Sequence, residues 1–218
     1  MKKILLILLL TFIVYPFTKS YAQVVDKKAI AIVDQLAAKM KSYPTLKIDF
    51  TYTLENKQKK INQSKKGTII IKSDKYSLNV AGQKIISDGK TTWTYIPDAN
   101  EVQINSVNPN EDEGINLTKL LATYSKNFRP KLIKEERVSN VNTQVVDLVP
   151  LKTKAYYKVR LIIDKDKTQI ISTQIFNKNE STFKYKVDKF QSNPKVVDSD
   201  FTFKKTDYPA NVEINDMR

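Results

Sequence analysis

Apolar and polar residues alternate with a period of two through much of this chain, and this pattern restricts its fold most strongly. Successive side chains of a β-strand point to opposite faces, so alternation predicts strands with one apolar face. The clearest case is the segment 46–54, whose apolar members are Leu46, Ile48, Phe50, Tyr52 and Leu54. Four further strands are predicted in the first half, at residues 67–72, 76–80, 91–96 and 101–104.

Turn signals separate these strands and continue into the second half of the chain. The lysine-rich segment 55–66 predicts a long hairpin loop, and Asp88 followed by Gly89 predicts a two-residue type I′ turn. Later strands are predicted at residues 141–149, 156–164, 169–177, 182–190 and 201–203. Short connections favour antiparallel neighbours, and so many one-sided strands favour a mainly β (α+β) fold with a strongly curved sheet.

Two helices are predicted beside the strands. Residues 26–41 place apolar side chains at three- and four-residue intervals, with Asp26 as the N-cap and Pro44 just beyond the end. A shorter helix is predicted from the spacing of Ile115, Leu117, Leu120, Leu121 and Tyr124. We expect both helices to lie against the concave side of the sheet.

The first 22 residues have the order of a secretory signal peptide. Lys2 and Lys3 precede an apolar run that is too short for a membrane span, and small residues precede a cleavage point after Ala22. We therefore expect a signal peptide at 1–22 and one exported domain at 23–218, which places the domain in the periplasm. An uncleaved membrane anchor is the alternative. Nucleic acid is an unexpected partner in that compartment, even for a chain with a net charge of +14.

The composition excludes several kinds of active site. Without histidine or cysteine, the chain has no Ser-His-Asp triad, no Cys-His nucleophile and few possibilities for a zinc site. Its four glycines form no phosphate-binding loop. We expect no catalytic residue, no metal and no cofactor. The many aromatic residues on the strand faces fit either a filled core or a cavity for an apolar ligand, and the sequence leaves both open.

Residues 87–102, SDGKTTWTYIPDANEV, combine an S-D-G-K hairpin signal with a predicted strand of the form W-x-Y-x-P. At this segment, most specifically, the chain resembles the LolA family of periplasmic outer-membrane lipoprotein carrier proteins. Supporting segments are the strands at 47–53 and 67–72 and the C-terminal residues 201–203 and 212–218. The resemblance implies an unclosed, strongly curved antiparallel β-barrel covered by a helical lid.

The function that the resemblance implies is lipoprotein transport in outer-membrane biogenesis. A member of this family binds the acyl chains of a lipoprotein in an apolar cavity. It receives the lipoprotein from an inner-membrane lipoprotein-release ABC complex and passes it to an outer-membrane acceptor. Since a carrier must engage both partners in turn, we expect a monomer. Its predicted cavity and lid residues are Phe50, Tyr52, Tyr76, Leu78, Trp93, Leu117, Leu120 and Leu121.

One position departs from the family pattern. Many members have an arginine just after the second strand that holds the closed lid to the sheet, and Ser73 stands at that place here. A serine hydroxyl cannot replace a guanidinium with five N–H donors. A carrier or sensor of another envelope lipid, such as a glycolipid or phospholipid, is therefore the main alternative function. A filled interaction module and, more remotely, an enzyme are the others.

Overall fold

The computed structural model describes residues 25–107 and 117–218. This part of the chain has two α-helices, α1 (Lys27–Lys41) and α2 (Leu117–Asn127). Its strands are β1 (Thr45–Asn56), β2 (Ile61–Lys72), β3 (Lys75–Val80), β4 (Gln83–Ser87), β5 (Thr91–Ile96), β6 (Glu101–Ser106), β7 (Phe128–Val138), β8 (Val141–Pro150), β9 (Tyr156–Asp164), β10 (Gln169–Asn177), β11 (Ser181–Ser192) and β12 (Glu213–Asp216). Short 3₁₀ turns lie at Pro97–Ala99, Asp198–Phe201 and Lys205–Asp207.

All twelve strands belong to one curved, unclosed sheet in the order β12-β6-β5-β4-β3-β2-β1-β11-β10-β9-β8-β7. Neighbouring strands are antiparallel, apart from the parallel pair β12 and β6. Strand β1 pairs with β2 on one side and β11 on the other, so it joins the two halves of the chain. The predicted fold class is confirmed.

Helix α1 forms where the sequence predicts it. Its buried stripe is Ala29, Ile32, Val33, Leu36 and Met40. The Asp26 carboxylate accepts a hydrogen bond from Ala29 N at 2.9 Å, which caps the helix, and another from Leu132 N of β7 at 2.8 Å. One side chain therefore both begins α1 and attaches it to an edge strand.

The main core lies between the helices and the face of the sheet that we call the inner face. Both helices contact β7, and α1 also contacts β10. The sheet residues at the centre of this core have no exposed surface, namely Val146, Leu148, Val159 and Leu161. The helices therefore cover the inner face mainly over the second half of the sheet.

The C-terminal segment packs on strands β5 and β6. Val102, Ile104 and Val212 are buried there, with Phe203 and Tyr208 packed against them. Strand β12 then extends the sheet beyond β6. No helix in the described part of the chain is both long and apolar enough to cross a membrane.

The β1–β2 hairpin corrects the loop predicted at residues 55–66. Pairing continues to Asn56 opposite Ile61, so most of that segment is strand. Cross-strand polar contacts support these arms, and the hydroxyl oxygens of Thr53 and Ser64 lie 2.8 Å apart. Because both faces of these strand arms are polar, the sequence shows no apolar–polar alternation that would predict them.

The turn after β4 is not the predicted type I′ turn, which would need positive φ at Asp88 as well as Gly89. Only Gly89 of the two has positive φ, at +92°. The Asp88 carboxylate instead accepts hydrogen bonds from the backbone N–H groups of Lys90 and Thr91, each at 2.8 Å. A side-chain acceptor therefore shapes this turn.

Three other local predictions need correction. Residues 201–203 are not a strand, because Phe201 ends the 3₁₀ turn Asp198–Phe201. Strand β7 was not predicted, since it is an edge strand whose exposed second half carries charges in place of alternation. Strand β12 has only four residues, mostly polar, and was not predicted either. The predicted signal peptide at 1–22 and the predicted helix residue Ile115 lie outside the described residues.

Candidate functional site

The register of β1 to β4 brings four of the predicted site residues onto the inner face. Leu46 belongs to the main core and pairs with Ile71, which pairs with Tyr76. Directly paired residues share a face, and so do residues two apart in a strand. Tyr76 and Leu78 therefore lie on the inner face, as do Phe50 and Tyr52 of β1.

These residues form an apolar surface beyond the part of the sheet that the helices cover. We define the inner apolar surface as Phe50, Tyr52, Ile69, Ile71, Tyr76, Leu78 and Ile85. Phe50 is buried, while Tyr52, Ile69, Ile71, Tyr76, Leu78 and Ile85 are only partly buried. Sheet residues at the centre of the helix-covered half, such as Val146 and Leu161, are fully buried, whereas this half retains accessible apolar area.

Aromatic rings of β1 and β11 line the boundary between the two halves. Tyr185 lies between Phe50 and Tyr52, with ring centroids 6.1 and 5.3 Å away, and Phe183 stacks on Tyr52 at 6.0 Å. Burial raises the pKa of Tyr185 to about 12, and the nearby Tyr52 phenol contributes. Burial also raises the pKa of Tyr52. These phenols are neutral at physiological pH, which suits contact with an apolar ligand.

A cleft of about 630 Å³ lies between the helices and the sheet. Its apolar lining includes Leu46 and Ile71 from the sheet, Met40 from α1, and Leu121 and Tyr124 from α2. Ile71 belongs to both the cleft and the inner apolar surface, so the two features adjoin. The volume falls in the range of pockets that hold small molecules.

A larger groove of about 870 Å³ crosses β1, β2 and the β3–β4 turn. It is open, and charged side chains contribute to its wall, namely Asp49, Lys66, Asp188 and Lys189. Apolar ligands would gain less by entering such a groove, because charged groups near them would lose hydration. Two charged residues, Asp34 and Lys41, line the smaller cleft against four in the groove, so the smaller cleft is the better candidate site.

The structure describes the side chains of two of the three predicted lid residues. Leu120 and Leu121 of α2 are buried in the main core, with 6 % and 3 % of their surface exposed. Leu117 lies in α2, and its side chain lies outside the described part of the structure. Leu121 lines the cleft, so α2 contributes both to the core and to the candidate site.

Trp93 lies on the opposite face of the sheet from Tyr76 and Leu78. It pairs with Ile86, which pairs with Ser77, the residue between those two. Its ring stacks on Phe203 with centroids 6.3 Å apart and an angle of 10° between the planes. The structure therefore does not bring Trp93 together with the other predicted site residues.

Ser73 lines the cleft at the β2–β3 turn. Its φ is +55°, a conformation that is uncommon for residues other than glycine. Another contact joins the helices, because the Tyr124 hydroxyl of α2 donates to the Asp34 carboxylate of α1. Burial and this hydrogen bond raise the pKa of Tyr124. The sequence places Tyr124 on the buried stripe of α2, but it gives no signal that pairs it with Asp34.

No group of three or more acidic side chains suited to a metal ion occurs among the residues that the structure describes. What the geometry offers is a curved, unclosed sheet with a partly covered apolar inner face. This arrangement places the protein in the class of unclosed β-barrels whose helices cover part of an apolar inner face.

The chain belongs to the LolA family. The family model described as outer membrane lipoprotein carrier protein LolA matches residues 41–204. The predicted resemblance is thereby confirmed. No curated protein matches the chain in a sequence comparison.

Solved structures show the same fold at low sequence identity. An uncharacterized conserved protein from Thermus thermophilus is 10 % identical, with a TM-score of 0.55, and the match covers 87 % of this chain and 99 % of that one. The lipoprotein LppX from Mycobacterium tuberculosis is 12 % identical, with a TM-score of 0.51 and coverage of 79 % and 99 %. Both proteins are like this chain in fold.

Proposed function

We propose that this protein is a periplasmic, non-enzymatic carrier that binds the acyl chains of lipoproteins and transports them from the inner to the outer membrane. The observation that carries the proposal is the inner apolar surface, which stays partly exposed beside the helix–sheet cleft. Membership of the LolA family supports this choice of ligand. In this scheme, the donor is an inner-membrane lipoprotein-release ABC complex and the acceptor lies at the outer membrane.

The energetics explain why such a carrier is needed. Each buried CH₂ group contributes about 0.8 kcal/mol, so a chain of about fifteen carbons resists transfer into water by roughly 10 kcal/mol. A partly exposed apolar surface lowers this cost. It also binds less firmly than a closed cavity, because part of the ligand stays in contact with water. The cargo can then be released to an acceptor.

The test places the same charge on either face of one strand. Leu78 lies on the inner apolar surface, and the neighbouring Asn79 is exposed on the opposite face. We expect Leu78→Glu to weaken binding of an apolar fluorescent probe at least tenfold, about 1.4 kcal/mol. Asn79→Glu should leave that affinity within twofold of the original protein. Equal affinities for the two variants would contradict the placement of the site.

The ligand class is tested by displacing the bound probe. A native lipoprotein should displace it, whereas the same lipoprotein without acyl chains should not. Leu120 and Leu121 are poor positions for this work, because a charge in the packed core would unfold the protein. Transfer of lipoprotein from inner membranes to acceptor then tests the carrier role.

A carrier or sensor of another envelope lipid is the second candidate. The observation that favours it is Ser73, which lines the cleft where the resemblance leads us to expect an arginine. Without that arginine, the helices lack the family's tie to the sheet. Mass spectrometry of lipids extracted from the purified protein separates the candidates. A stoichiometric phospholipid or glycolipid that displaces the probe, with no displacement by lipoprotein, would favour this second function.

A further inference from the structure

Four chain connections lie side by side at one end of the barrel. The N–H of Leu151 donates to the carbonyl of Asn127 at 2.8 Å and links the β8–β9 loop to the end of α2. Lys178 N donates to Ala155 O at 3.0 Å and links the β10–β11 turn to that loop. Asn56 stands at the start of the β1–β2 turn, and its side chain donates to the carbonyl oxygen of Asn179 in the β10–β11 turn at 3.2 Å. These connections therefore form one continuous surface.

This surface is strongly basic. We call it the lysine end and define its charged residues, within the described part of the chain, as Lys57, Lys59, Lys60, Lys126, Lys152, Lys154 and Lys178 and the carboxylates Glu55 and Glu180. Lys57, Lys59 and Lys60 of the hairpin tip are exposed, and no described carboxylate lies within 4.0 Å of their ammonium groups. Their charges are available to an external partner.

The opposite end of the barrel has no such excess. Its turns after β2, β4 and β9 carry equal numbers of acidic and basic residues, namely Asp74, Asp88, Asp166, Lys90, Lys165 and Lys167. Among the residues that the structure describes, the lysine end therefore carries more net positive charge than these turns. A field of this shape orients the molecule toward an anionic partner.

Exposed apolar side chains lie among these lysines. Leu151 is 49 % exposed and Tyr157 is 51 % exposed. The Tyr157 ring packs 6.0 Å from Phe176, so the ring is held in place at the surface. Single leucine and tyrosine side chains surrounded by lysine are suited to the boundary between lipid headgroups and acyl chains.

We propose that the lysine end docks on an anionic membrane surface by binding phospholipid phosphates. A cleft of about 460 Å³ lies at this end, but the carboxylates Glu55 and Glu180 line it together with Lys57 and Lys178, so it does not select an anionic group. The other lysines come from separate connections and therefore match a diffuse layer of headgroups better than a folded acidic protein. Lysines suit this role, because each is a flexible point charge without the bidentate geometry of arginine. The docking does not depend on cargo, so it can be tested without any lipoprotein.

The test measures binding of the purified protein to phosphatidylcholine vesicles with and without phosphatidylglycerol. Each lysine near an anionic surface contributes about fivefold to partitioning, so Lys57→Gln, Lys59→Gln and Lys60→Gln together should reduce it roughly a hundredfold. The control combines Lys90→Gln, Lys167→Gln and Lys195→Gln, which remove the same charge near the opposite end. We expect this control to retain partitioning within about fivefold of the unmodified protein.

Three results would overturn the proposal. They are equal losses in the two triple variants, equal binding to vesicles without phosphatidylglycerol, and no binding to either vesicle. In the last case, capture of an acidic protein by the lysine end would become the alternative. Tyr157→Ser gives a separate measure, since it should weaken vesicle binding without changing the net charge. Circular dichroism melting should show that all variants remain folded.

Discussion

The ring of Phe50 lies directly against Gly67 of the neighbouring strand. A Cβ atom built at position 67 would lie 2.5 Å from Phe50 Cζ and 2.9 Å from the carbonyl oxygen of Asn79. Phe50 and Gly67 are paired across β1 and β2, so the missing side chain on one strand makes room for the ring on the other. This pair positions Phe50 at the edge of the inner apolar surface.

We expect Gly67→Ala to destabilise the protein by about 1–3 kcal/mol, because the new methyl group overlaps both the ring and a backbone carbonyl. Urea unfolding measures this change. The variant Phe50→Leu supplies a double-mutant cycle, in which the smaller side chain should recover part of the loss at position 67. Strict additivity would show that the ring and the glycine do not interact.

Helices α1 and α2 are joined by the Tyr124 hydroxyl. It donates to Asp34, and it also lies 3.4 Å from the carbonyl oxygen of Ile30. Tyr124→Phe should lower the free energy of unfolding by about 1 kcal/mol, since the ring stays buried while the hydrogen bond is lost. Tyr157→Phe at an exposed position is the matched control and should change it by less than about 0.5 kcal/mol. A Tyr124→Phe variant as stable as the control would exclude a structural role for the hydroxyl.

Acid should loosen the attachment of α1 to β7. Glu135 accepts hydrogen bonds from Gln144 at 2.7 Å and from Lys28 of α1 at 2.6 Å, and these lower the pKa of its carboxyl group to about 2. Because the pKa of Glu135 is lower in the folded state than the unfolded value of 4.5, its ionised carboxylate stabilises the folded protein above pH 4.5. This contribution is lost as the pH falls toward about 2.

Glu135→Gln should therefore flatten the dependence of stability on pH in that window. Thermal melts between pH 4.5 and 2 give the measurement. Glu136→Gln is the control, because Glu136 pairs with Lys134 of its own strand at 2.7 Å and does not reach α1. Parallel curves for the original protein and Glu135→Gln would count against this carboxylate as an acid-sensitive attachment.

A buried carboxylate on β8, Asp147, lies between two cations of β9. Asp147 is only 4 % exposed and contacts Arg160 Nε at 2.6 Å and Lys158 Nζ at 3.0 Å. Burial alone would raise the pKa of Asp147, but hydrogen bonds from Arg160 and Lys158 outweigh it and lower that pKa. The ionised carboxylate therefore depends on its partners.

We expect Arg160→Met to cost about 3 kcal/mol, because it leaves a buried charge with one partner fewer. Chemical denaturation reports the change. The exposed pair Lys186 and Asp188, 3.9 Å apart, offers a comparison, and Lys186→Met should cost less than about 1 kcal/mol. If Arg160→Met and Lys186→Met lowered the free energy of unfolding by similar amounts, burial of Asp147 would not determine the cost of losing its partner.

Local patterns in the sequence predicted the elements whose formation depends on residues close together in the chain. Strands β9 and β10 begin and end where alternation and tight turns place them, and α1 has its predicted N-cap and C-terminal end. The prediction was weaker where both faces of a strand are polar, as in the arms of the β1–β2 hairpin. It failed for β7 and β12, which lie at the sheet edges and carry little of the apolar pattern.

By itself, the sequence determined that this chain forms a mainly β fold with one apolar face on several strands. Only the tertiary structure decided which faces meet. Trp93 and Tyr95 share one face of β5, and pairing with β4 put Trp93 on the face opposite Leu78. Pairing of β1 with β11 likewise created the contact between Tyr52 and Tyr185. Register and long-range pairing depend on residues far apart in the chain, so local periodicity cannot fix them.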